Sequence, residues 1–175
     1  MAENNLSYPI GDFDKNIELT TDLRKENIQA VKDLPEKLAK AVEGLSDEQL
    51  DAEYRPGGWT VRQTVHHVAD SHINSICRFK LAMSEENPTI RPYFEDIWAT
   101  SADYKLPVQI SLDILKGIHL RWATMLESFS EEDFQRTLVH PDSGQWTVER
   151  FLALYAWHGK HHTAHITSLR ERKGW

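Results

Sequence analysis

Apolar residues recur at steps of three and four along four long stretches of this chain, and no stretch keeps up the two-residue alternation of a strand. The first stretch covers 21–43, with Leu23, Val31, Leu34, Leu38 and Val42 on one stripe that runs on to Leu45. Pro35 lies inside it and predicts a kink or the end of a turn. The second covers 60–83 and sets Val61, Val65, Val68, Ile73, Ile76 and Phe79 on its apolar side. The third, 108–129, uses Leu112, Leu115, His119, Trp122, Leu126 and Phe129. The fourth, 147–172, uses Val148, Phe151, Tyr155, Ile166 and Leu169. Between the second and third, residues 87–107 are rich in proline and aromatics and predict one short helix around 94–100. Four helices of this length predict an all-α four-helix bundle with short additional helices in the connections.

A weak internal repeat orders these elements. LSDEQL at 45–50 is echoed by FSEEDF at 129–134, and YRPGGWTV at 54–61 by HPDSGQWTV at 140–148. Each copy reads as a long helix, a short acidic helix, a turn, then Trp-Thr-Val opening another long helix. Thr60 with Gln63 forms a capping box, Thr147 is the second cap with Glu149 near the positive helix end, and Trp59 and Trp146 precede the caps. Two halves related in this way put the second and fourth helices in equivalent positions.

That geometry gives the histidines their interest. His158 and His162 are four apart and share a helical face, so both rings reach one ion, and His67 on the equivalent helix supplies a third nitrogen. His161 and His165 form a competing pair on the face of Leu154 and Trp157. His66 points about 100° away from His67, and Asp70, one turn on, is a candidate to hold the His67 ring unless it points elsewhere. Position 159 is glycine, which excludes the HExxH mechanism with its glutamate base. His72 and His119 read as packing or surface residues, His140 precedes a turn proline, and Cys77 reads as a buried small hydrophobe. The six tryptophans read as core anchors rather than a ligand cage.

Bulk properties narrow the function. The chain has 175 residues, enough for one domain, and no linker divides 1–175. A net charge of −7 without a basic stripe argues against a nucleic-acid or anionic-membrane partner. The N-terminus has neither the basic nor the apolar region of a leader, and no apolar run is long enough to span a membrane. The single cysteine, Cys77, cannot form an internal disulfide, which predicts a cytoplasmic protein and excludes a Cys-rich structural zinc site.

With those residues placed, the chain resembles the DinB-like four-helix-bundle proteins, and within them the YfiT group of metal-dependent hydrolases, which overlaps the bacillithiol transferases. The resemblance runs through LSYPIG at 6–11, GGWTVRQTVHHVADSH at 57–72, RFKL at 78–81, IRPY at 90–93, His140-Pro141 and YAWHGKHHTAHI at 155–166. It implies His67, His158 and His162 as metal ligands, one zinc or nickel ion per subunit, and a cytoplasmic homodimer acting on a small molecule.

Three neutral imidazoles leave the ion's charge uncompensated, which favours a bound water of lowered pKa or a bound thiolate. One site thus serves two enzymatic expectations. Hydrolysis needs a proton shuttle, for which Asp70, Tyr155 and His161 are candidates. Transfer of a low-molecular-weight thiol needs an anion-holding pocket, for which Arg62, Arg78 and Arg91 are candidates. A third expectation, from another class, is a non-catalytic metal-binding module.

Overall fold

A computed structural model describes residues 4–175. Residues 1–3, part of the segment read as lacking a leader, lie outside it. The helices are α1 (Asn4–Ser7), α2 (Thr21–Val42), α3 (Asp47–Leu50), α4 (Val61–Ser84), α5 (Glu95–Trp98), α6 (Val108–Glu127), α7 (Glu131–Gln135) and α8 (Val148–Lys173), with one turn of 3-10 helix at Ala102–Lys105. The four long helices form the bundle. Helix α2 packs on α8 and α6, and α4 packs on the same two, so α2 and α4 stand across a diagonal.

Local chemistry explains where the elements begin. Ser46, Thr60 and Ser130 each close a capping box, with Gln49, Gln63 and Asp133 respectively. The Thr147 side chain accepts from the Arg150 backbone N–H. Glu149 does more than sit near a helix end. It is buried and accepts from Arg24 Nε at 2.8 Å. Gly174, in the left-handed conformation at φ 69°, ends α8.

Two expectations are corrected here. A short antiparallel hairpin joins β1 (Thr137–His140) to β2 (Gly144–Thr147), where the pattern predicted only a turn. Strands of four residues are too short to show sustained alternation. Its counterpart in the first half of the repeat is a single antiparallel bridge between Glu53 and Thr60. Pro35 lies inside α2, which is continuous from Thr21 to Val42. Ile73 and Cys77 face outward rather than inward, one turn apart on the solvent side of α4.

The core consists of two apolar clusters stacked along the bundle. One gathers Val31, Ile76, Phe79, Trp122, Leu126, Phe151, Leu152 and Tyr155. The other gathers Leu34, Leu38, Val61, Val65, Val68, Leu112, Leu115, Ile166 and Leu169. On α4, α6 and α8 the switch between clusters falls at His72, His119 and His158. A layer of imidazoles therefore crosses the bundle where its apolar core divides.

Candidate metal centre

The structure brings His67, His158 and His162 together: one ring nitrogen from each lies within 4.8 Å of the others. His67 Nε2 and His158 Nε2 are 3.3 Å apart. Two nitrogens bound at about 2.0–2.1 Å and at a tetrahedral angle to one ion stand about 3.3 Å from each other. The donor set and its spacing fit a divalent cation.

The fit is reinforced by hydrogen bonds behind His158. His119 Nδ1 lies 2.5 Å from the Val31 carbonyl oxygen. A carbonyl only accepts, so Nδ1 carries the proton and His119 Nε2 carries a lone pair. That lone pair accepts from His72 Nδ1–H at 2.9 Å. His72 Nε2, now an acceptor, receives His158 Nδ1–H at 3.1 Å. The proton positions propagate from Val31 to the site and leave His158 Nε2 as a bare lone pair facing His67. A cation resolves that juxtaposition.

Why Val31 is free to accept follows from the sequence. In an α-helix the carbonyl of residue 31 bonds the N–H of residue 35, and residue 35 is proline. Pro35 leaves the carbonyl without its helical donor, and His119 supplies one.

Electrostatics keep these histidines in the protonation state that a metal would need. Burial, then the neighbouring imidazoles, hold His158 and His162 well below the usual 6.5. Burial lowers His67 and His119 to about 4. All stay neutral near pH 7, as metal coordination requires. His67 and His162 have no protein acceptor for Nδ1 among the described residues. Aromatic contacts orient them instead: the Trp59 ring lies 4.5 Å from that of His67 and stacks at 6.4 Å on His162.

The three rings line a cavity of about 470 Å³, whose other walls include Trp59, Arg78, Tyr93, His140, Trp146, Tyr155 and Trp157. Of the tryptophans read from sequence as core anchors, Trp122 and Trp146 are buried in the core, Trp146 also facing the cavity, while Trp59 and Trp157 are only partly buried and line its wall. His140 is likewise in the wall rather than idle beside its proline.

The remaining candidates separate cleanly. Asp70 accepts from the Tyr104 hydroxyl at 2.7 Å and is no partner of His67. His66 is satisfied elsewhere, by Ser111 at 2.7 Å and the Leu106 carbonyl at 3.0 Å. In the competing pair, His165 bonds the Ser7 carbonyl at 3.0 Å and stacks on Tyr54, while His161 stacks on Trp157 and borders the cavity. Arg62 is tied to Asp51 and Asp47 at 2.6 and 2.8 Å on another face. Arg91 is exposed. Sequence reading missed the roles of His72 and His119. The signal was present in His119, a polar residue within the apolar stripe of the third helix that must find a buried partner.

These features define a class: a helical bundle whose buried histidine layer ends in a three-nitrogen pocket open to a cavity. Residues 30–166 match the DinB superfamily, and the chain belongs to it. Proteins of Bacillus cereus (strain AH820) and Bacillus anthracis (strain CDC 684 / NRRL 3495), both bearing the name "Putative metal-dependent hydrolase", are 53% identical over 172 residues, which is 98% of this chain and 99% of each of theirs. The solved structure of YfiT from Bacillus subtilis, described as a probable metal-dependent hydrolase with an unusual four-helix bundle topology, superposes with a TM-score of 0.94 at 47% identity, covering 98% of this chain and 99% of that one.

Proposed function

We propose that this protein is a metal-dependent hydrolase in which His67, His158 and His162 hold a zinc or nickel ion that activates water against a small-molecule substrate. The observation that carries this reading is the convergence of three neutral imidazole nitrogens on the wall of a cavity large enough for a ligand. An ion so held retains its charge, acidifies water towards a pKa of about 7 and polarises an electrophilic oxygen. The protein's own part is to keep His158 Nε2 unprotonated through His72 and His119 and to shield the rings with Trp59. Of the three proton-shuttle candidates, Asp70 is engaged with Tyr104, whereas Tyr155 and His161 border the cavity.

Thiol transfer is the second reading, favoured by the presence of Arg78 without a carboxylate partner in the same wall. The reading carries with it a cytoplasmic homodimer holding one ion per subunit. No helix among the described residues is long and apolar enough to cross a membrane.

The test is to assay metal-loaded protein on ester and amide electrophiles, with and without a low-molecular-weight thiol. Turnover in water alone, lost in His67→Ala and His158→Ala along with bound metal, is the expected result. Turnover only with thiol selects the transferase. Loss of helicity on metal removal, with no turnover in any arm, selects the non-catalytic module.

A further inference from the structure

Arg78 is an anomaly in this cavity. Its side chain is more than nine-tenths buried, yet no carboxylate approaches it within ion-pair distance among the described residues. Nη1 donates to the Tyr155 hydroxyl at 2.8 Å and Nη2 to the Arg91 carbonyl at 3.0 Å, both neutral groups. A guanidinium has five N–H donors and does not give up its charge in proteins, so three donors and a full positive charge remain. Burying a cation without its counter-charge is unfavourable. Glu95 and Asp142 also border the cavity, but both are exposed at its rim.

The position of this charge is informative. Tyr155 links it to the metal ligands, because the Tyr155 ring lies 5.8 Å from that of His158 on the same helix. Tyr93, with Arg78 6.0 Å above its ring, adds a phenol that burial keeps protonated and able to donate. The wall of one cavity thus presents three imidazoles and a buried cation with spare donors. Trp146, Phe151, Leu154 and Trp157 supply apolar wall around both.

We infer that the cavity takes a small molecule bearing a carboxylate, which Arg78 holds in an ion pair while the opposite end of the molecule faces His67, His158 and His162. The inference rests on the proposed function for the role of that opposite end. A planar carboxylate matches the fork of the guanidinium, which a compact cation would not reproduce.

The experiment uses the metal-free protein and two probes of matched shape, butyrate and butyramide. Binding is followed by NMR through the Arg78 Nε–H resonance and the fitted dissociation constants. Butyrate is expected to shift that resonance and to bind at least tenfold more tightly than butyramide. Arg78→Met is expected to erase the preference and Arg78→Lys to retain part of it, with zinc affinity in both variants within about threefold of the wild type. Equal affinity for the two probes, or a preference that survives Arg78→Met, overturns the inference. If Arg78→Met does not fold, the wild-type comparison and Arg78→Lys decide: a preference unchanged in Arg78→Lys, with an unmoved Arg78 resonance in the wild type, overturns it. Binding is read here without metal and without turnover. A failure of hydrolysis therefore leaves this result standing, and a failure of butyrate binding leaves the hydrolase reading standing.

Discussion

Pro35 and His119 meet at one atom. Because residue 35 has no N–H, the Val31 carbonyl is released from the α2 ladder, and His119 Nδ1–H takes its place at 2.5 Å. A helix-breaking residue thus sits in a continuous helix because its missing donor is replaced from α6. From this bond the proton positions of His119, His72 and His158 follow in turn.

Substitution of Pro35 by alanine tests that link. Alanine restores a backbone N–H that competes for the Val31 oxygen, while intrinsic helix propensity improves by about 3 kcal/mol. Thermal stability is expected to hold or rise while zinc affinity falls several-fold. Nitrogen-15 NMR is expected to show mixed His119 tautomers in Pro35→Ala and a single Nδ1–H form in the wild type. Affinity and stability falling together would mark the proline as structural only.

Truncating the relay at His119 strands the next imidazole. In His119→Leu the buried His72 Nδ1–H loses its acceptor, at a cost of roughly 1–3 kcal/mol. Loss of outer partners of metal-binding histidines lowers affinity by roughly 10–100-fold. A fall of that size in zinc affinity, measured by chelator competition, is the expected outcome, with the three ligands themselves intact.

The histidine layer makes the metal-free fold acid-sensitive. His119 and His67 titrate near 6.5 when unfolded and at about 4 in the fold, where burial disfavours their charged forms. As pH falls below 6.5 the unfolded chain takes up protons that the native state refuses, so stability declines until about pH 4 and then levels for these groups. Each contributes up to roughly 3 kcal/mol, fully present above pH 6.5. Urea titrations of metal-free protein from pH 7.5 to 4 are expected to show a steep loss, and His119→Leu a shallower one. A flat profile across that window contradicts the burial of neutral imidazoles.

Gly159 sets how closely α8 approaches α2. A Cβ there would lie 2.6 Å from Leu34 Cδ2 and 3.0 Å from Leu34 Cδ1, and Leu34 is itself buried in the core. Gly159→Ala is expected to destabilise the protein by about 1–3 kcal/mol through overpacking. Because His158 is the adjacent residue, zinc affinity should fall as well. Partial recovery of zinc affinity in the double variant with Leu34→Val, which makes room for the added methyl, is the check.

Much of this was legible along the chain. The 3.6-residue stripes, the caps at Thr60 and Thr147 and the spacing of His158 and His162 are local properties, written within a few turns of one helix. They determined the four-helix architecture and reduced the histidines to two competing pairs. Which pair met His67, that Cys77 and Ile73 face solvent, that Asp70 turns to Tyr104, and that Arg62 is neutralised while Arg78 is not, were decided by the register between helices. So was the use of Pro35, whose freed carbonyl has meaning only when His119 arrives from another helix. Periodicity names the face a side chain occupies; what stands opposite that face is a matter of packing between segments distant in sequence.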